Sequence, residues 1–191
     1  NYPFRGAVVS NNILFGGSIT AQNVDRLIVQ GNVMTNSTYG ISLSYCNNTI
    51  ITGNSIRNTA INGAGSTGDK GGIYGAVCLN LTIVNNQIFD NQASPSTPYG
   101  IHTDANYSLI MQNRVEGTNG AGIRISGCNN TISGNYALNN NGYGIQVDSE
   151  ANYNFVHGNY MTANTSGNLS DSGTGTYKRD NVGDSGLLAD S

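Results

Sequence analysis

GIRISGCNNTISGNYAL, residues 122–138, couples a Gly-Ile pair to an asparagine 13 residues further on, Asn135. The coupling recurs on both sides of this stretch. Gly40-Ile41, Gly72-Ile73, Gly100-Ile101 and Gly144-Ile145 are followed by Asn54, Asn86, Asn113 and Asn159 after 13 to 15 residues, and Asn12 and Asn32 extend the series toward the N-terminus. Between these marks, apolar and polar residues alternate in short runs bounded by Gly and Asn, without helical periodicity. Each unit therefore reads as strand.

Two columns run through the units. Three positions before the repeat asparagine stand Val9, Val29, Ile51, Ile83, Ile110, Ile132 and Val156; two positions after it stand Leu14, Met34, Ile56, Ile88, Val115, Ala137 and Met161. Both columns are expected to point inward. A rung of roughly 20 residues cannot bury its own apolar face, so the rungs must stack into a quasi-one-dimensional core, a β-solenoid of about seven rungs. Residues 1–164 are expected to form the rungs, and residues 165–191 a terminal rung and tail rich in Gly, Ser and Asp.

These residues resemble the right-handed parallel β-helix superfamily, the pectate-lyase-like proteins with PbH1-type repeats and the NosD-like group, over nearly the whole chain. The resemblance implies an all-β, single-stranded right-handed parallel β-helix whose repeated asparagines stack as a ladder in a tight turn. It implies a substrate class, polysaccharide, and a location that is extracellular or on a cell or virion surface. It does not imply one reaction, because this scaffold carries lyases, hydrolases, epimerases, tailspikes and adhesins alike. The chain lacks the clustered acidic calcium site of pectate lyases and the Y-G-F-D-P-H signature of alginate epimerases, of which PYGIHTDA at 98–105 is a distant echo.

Composition narrows the partners. With 10% charged residues, a net charge of −3 and no basic stripe, the chain does not carry a nucleic-acid footprint. It has no apolar run long enough to insert into a membrane as a helix. It opens with NYPFRGAVV already inside a rung, so a mature product or part of a longer protein is expected. Solenoid ends expose unpaired strand edges, so capping, homo-oligomerisation or end-to-end assembly is expected. Cys46, Cys78 and Cys128 fall at similar places in their rungs and read as small buried thiols. Cys46 and Cys78 lie on adjacent rungs, within reach of a disulfide.

The spacing between rungs points to a site. The segment from Gly to Asn is nearly constant, whereas the segment from Asn to the next Gly varies from 18 residues (Asn54 to Gly72) to 9 (Asn113 to Gly122). The extra length leaves at one corner as two neighbouring loops, residues 57–71 and 89–99, which enter directly into Gly-Ile strands. Loops held by a rigid scaffold are where binding and catalysis concentrate. If the Ile of each pair points inward, period 2 makes Ser42, Tyr74, His102, Arg124 and Gln146 a first outward column, and Ser44, Ala76, Asp104, Ser126 and Asp148 a second. Ionisable residues are scarce in this chain, yet four gather on this face.

The candidate catalytic residues are accordingly His102, Asp104, Arg124 and Asp148, with Tyr74, Lys70 and Gln146 contacting substrate. Arg124 can clamp a carboxylate or hydroxyls, Tyr74 can stack on a sugar face, and His102 can move a proton near neutral pH. Asp104 and Asp148, two rungs or roughly 9.6 Å apart along the backbone, approach the carboxylate separation of inverting glycosidases. In a lyase or epimerase, His102 or Tyr74 would remove a proton α to a uronate carboxylate neutralised by Arg124, Lys70 or calcium. Calcium is the one cation this chemistry would call for; no metal site or resident cofactor is otherwise expected. His157 reads as a surface histidine, and Tyr39, Tyr99 and Tyr143, each preceding a Gly-Ile pair, as corner stacking. The alternative to a polysaccharide-binding or polysaccharide-modifying protein is a non-enzymatic structural or adhesive rod.

Overall fold

The computed structural model describes residues 4–59, 71–90, 99–183 and 186–187. Among them no helix occurs, and the strands form an eight-stranded, a nine-stranded and a seven-stranded sheet. Each complete turn of the chain contributes one strand to each sheet and pairs in parallel with the turns before and after it; the last strand of the nine-stranded sheet, Gly186–Leu187, pairs antiparallel with Val182–Gly183. The protein is a parallel β-helix of about seven turns, as the rung arithmetic predicts.

The seven-stranded sheet holds the Gly-Ile strands and is called the Gly-Ile sheet below. In chain order its strands are Ile19–Gln22, Ile41–Ser44, Ile73–Ala76, Ile101–Thr103, Ile123–Ile125, Tyr143–Val147 and Gly167–Asp171. The glycine of each pair is demanded by the neighbouring rung. A Cβ on Gly100 would meet Val115 Cγ1 at 2.1 Å and the Gly122 carbonyl oxygen at 2.6 Å.

Both apolar columns point inward, in register from rung to rung: Ile51 pairs with Ile83, Ile110 with Ile132, Ile56 with Ile88 and Val115 with Ala137. From Val29 and Met34 onward their members are fully buried. The asparagine ladder stands between them. Asn113 Nδ2 donates to Asn135 Oδ1 at 3.0 Å and to the Ile83 carbonyl at 2.9 Å, while its backbone N–H donates to the same Asn135 oxygen. This unit repeats from Asn12 onward and reaches an eighth member, Asn181, which accepts from Asn159 Nδ2 at 2.9 Å. Asn181 is absent from the seven expected from sequence because its rung, with strands Gly167–Asp171 and Tyr177–Arg179, lacks a Gly-Ile pair.

Two further stacks hold the other corners. Thr118, Asn140 and Asn164 form one, with Asn140 Nδ2 donating to Asn164 Oδ1 at 2.9 Å; Ser108, Asn130 and Asn154 form the other, each Oδ1 capping the backbone N–H of the preceding rung at 2.8 Å. A buried corner has backbone groups that no sheet partner reaches, and these side chains supply the missing acceptors. The three cysteines are free thiols; Cys46 and Cys78 are buried and unbridged, and the Cys46 N–H donates to Cys78 Sγ at 3.3 Å.

Candidate functional site

The first outward column is in register as period 2 requires: Ser42 pairs with Tyr74, Tyr74 with His102, His102 with Arg124, and Arg124 with Gln146. His102 points away from the solenoid core and is nonetheless only 6% exposed. Two aromatic rings cover it. Tyr74 lies 5.3 Å from the imidazole between centroids, and Tyr99 meets it edge-on at the same distance.

From His102 a hydrogen-bonded chain crosses two rungs. His102 Nε2 lies 3.1 Å from Ser126 Oγ, and Ser126 Oγ donates to Asp148 Oδ2 at 2.6 Å. The same carboxylate oxygen accepts from Arg124 Nε at 2.9 Å, and its Oδ1 accepts from Gln146 Nε2 at 3.0 Å. Arg124 Nη1 in turn donates to the Tyr99 hydroxyl at 2.9 Å, with the guanidinium carbon 4.9 Å from the ring centroid.

The pattern fixes proton positions. Asp148, paired with Arg124, is an acceptor only, so the single hydroxyl proton of Ser126 goes to it. Ser126 is then left as an acceptor, so the 3.1 Å contact is a hydrogen bond when His102 carries a proton on Nε2. That polarity is the reverse of a serine activated as a nucleophile, where the imidazole would take the hydroxyl proton. Asp148, with three donors on its two oxygens, holds Arg124, Ser126 and Gln146 in place.

Arg124, Ser126 and Asp148 line a hollow of about 510 Å³ with Ser149, Glu150 and Ser172. The structure thus brings together His102, Arg124, Asp148, Tyr74 and Gln146. It sets Asp104 apart, in a second hollow beyond the strand end, where Asp104 Oδ1 accepts from the Val77 N–H. Lys70 and most of the two long loops, residues 60–70 and 91–98, lie outside the described residues. Sequence reasoning missed Ser126 and Tyr99 as site members. Ser126 occupied the right column but carried no charge to draw attention, and the Tyr99 contact depends on a corner bringing its ring over a neighbouring rung. His157 sits on the eight-stranded sheet, stacked on Phe155 at 4.2 Å, away from this face.

Residues 5–182 match the model of a family described as periplasmic copper-binding protein (NosD). The chain belongs to the NosD family. No curated protein matches it. Among solved structures, a double mutant of the periplasmic alginate epimerase AlgG is similar with a TM-score of 0.67 at 16% identity, over 91% of this chain and 51% of that one. DFA-IIIase from Arthrobacter chlorophenolicus, in complex with GF2, is similar with a TM-score of 0.58 at 14% identity, over 98% of this chain and 56% of that one. At these identities the likeness establishes the fold, and this NosD-family chain spans about half the length of the structures it matches.

The copper in the family description can be tested against the side chains. Copper is held by imidazole, thiolate or thioether groups brought together. Among the described residues no three His, Cys, Asp or Glu side chains converge in this way. The two histidines lie on different sheets, Met34 and Met161 are buried in the core, and Met111 shares an outward column with His157 but stands two rungs away, with Ser133 between them. The described residues do not fit a copper site.

Proposed function

We propose that the protein is an extracytoplasmic β-helix that binds a polysaccharide along the outward face of the Gly-Ile sheet, over His102, Arg124, Ser126 and Asp148. The observation that carries this reading is the hydrogen-bonded chain across three rungs, which fixes a guanidinium, a hydroxyl and an imidazole on one elongated surface. Preorganised donors and acceptors at rung spacing suit a repeating, hydroxyl-rich ligand, because little side-chain order remains to be imposed on binding.

Binding is better supported than a particular reaction. Asp148 is engaged by three donors, and Asp104 faces a different hollow, so the two carboxylates do not flank one bond as a hydrolase requires. His102 is the one group here suited to moving a proton at neutral pH. The periplasmic description of the NosD family and the alginate epimerase named among the similar folds support the substrate class and the location.

Calorimetric titration with alginate oligosaccharides and with uncharged fructan and glucan oligosaccharides tests the proposal. At least one should bind, and Arg124→Ala should weaken it by about 1.5–3 kcal/mol, the range for a charged hydrogen bond, with an unchanged circular dichroism spectrum. If no glycan binds the parent protein, the structural-rod reading replaces this one.

A further inference from the structure

The second hollow, at the C-terminal ends of the Gly-Ile strands, encloses about 340 Å³ and is lined by Tyr45, Asn47, Val77, Leu79, Asp104 and Asn106, with Cys78 at its base. Asn47, Leu79 and Asn106 stand in one column on successive rungs, linked by isolated parallel bridges. Three polar side chains are each tethered by one oxygen. Asn47 Oδ1 accepts from the Leu79 N–H at 3.0 Å, Asn106 Oδ1 from the Cys128 N–H at 2.6 Å, and Asp104 Oδ1 from the Val77 N–H.

Those tethers settle which ends remain. Asn47 Nδ2, Asn106 Nδ2 and Asp104 Oδ2 hydrogen-bond to no atom of the described residues, leaving two donors and one acceptor around an apolar patch of Tyr45, Val77 and Leu79. The patch is open to ligand, with Tyr45 52% and Val77 55% exposed. Tyr45 and Val77 adopt φ of 53° and 50°, a left-handed conformation that a β-branched residue rarely takes. The same left-handed conformation recurs at corners along the solenoid, as at Asn23, Tyr107 and Tyr153.

We infer that this hollow is a subsite for an uncharged sugar unit. A sugar ring presents a C–H face that packs on an aromatic ring and an edge of hydroxyls that both donate and accept, matching this lining. A small number of fixed polar groups around an apolar surface is the usual makeup of a small-ligand cleft, and this volume lies in the usual range. The lining holds a carboxylate and, among the described residues, no Lys or Arg, so a uronate is disfavoured. The assignment stands on this hollow's own chemistry, apart from the Arg124 face.

The test is a nuclear magnetic resonance titration of ¹⁵N-labelled protein, following the side-chain amides of Asn47 and Asn106 and the Val77 N–H. Fructo-, cello- and malto-oligosaccharides serve as uncharged probes and oligoalginate as the charged one. At least one uncharged probe should shift these signals saturably, and oligoalginate should not. Tyr45→Asn removes the ring but tolerates the backbone conformation. Asp104→Asn keeps an acceptor for the Val77 N–H but replaces the other oxygen with a donor. Each should weaken the response at least ten-fold, whereas Arg124→Ala should leave it within two-fold. No shift with any uncharged probe, tighter binding of oligoalginate here, or indifference to both substitutions overturns the inference. So does loss of the response in Arg124→Ala, which would place the contact on the other face.

Discussion

Ser126 Oγ donates to Asp148 Oδ2 at 2.6 Å while standing 3.1 Å from His102 Nε2, so one hydroxyl joins the buried imidazole to the Arg124 ion pair. That contact is a hydrogen bond when His102 carries a proton on Nε2. Long-range ¹H–¹⁵N correlation spectra at neutral pH should show the Nε2–H tautomer, and Ser126→Ala should cost about 1–3 kcal/mol by stripping that N–H of its buried acceptor. A Nδ1–H tautomer in the parent protein would reverse the assigned proton order.

The asparagine ladder should respond strongly to one substitution. In Asn113→Leu, Asn86 loses the acceptor of both its backbone N–H and its Nδ2, and the Ile83 carbonyl loses a donor. Each buried group left unpaired costs about 1–3 kcal/mol, so a loss of at least about 3 kcal/mol is expected. A thermal midpoint equal to that of the parent would show the ladder to be energetically unimportant.

Val77 should be replaceable with a gain. Its φ of 50° is shared with Asn11, Asn23, Asn36 and Asn48 at other corners, residues whose side chains tolerate the left-handed region. Val77→Asn should stabilise the fold by about 1 kcal/mol, the scale of the left-handed penalty, as read from chemical denaturation. A destabilised variant would mean that apolar contact in the hollow outweighs the backbone strain.

Cys78 provides a pH-dependent prediction. Burial raises its thiol from 9.0 to about 12, and the backbone hydrogen bond from Cys46, which pulls the other way, offsets only part of that rise. The unfolded thiol ionises first, so this group leaves stability intact below about pH 9 and reduces it as pH climbs from there toward about 12. Iodoacetamide at pH 9 should leave Cys78 unmodified in the native protein and alkylate it in urea. Mass spectrometry showing rapid native alkylation would contradict the buried, neutral thiol.

The sequence by itself determined the solenoid, both inward columns, the ladder from Asn12 to Asn159 and the first outward column. All of these follow from a strict repeat: once the rung length and the period-2 alternation are known, every later rung inherits the same inward and outward positions. Tertiary structure decided what the outward residues do. Asp104 and Asp148 occupy the same outward column in sequence, yet one caps the Val77 N–H in its own hollow while the other anchors Arg124 and Ser126. Tyr99 joins the site because a corner carries its ring over His102 and Arg124, and Asn181 joins the ladder without a Gly-Ile pair to announce it. A repeat fixes where each Cβ stands. Which partner a side chain then reaches is set by corner geometry and rotamer, and these depend on the residues of neighbouring rungs, 20 or more positions away in the chain.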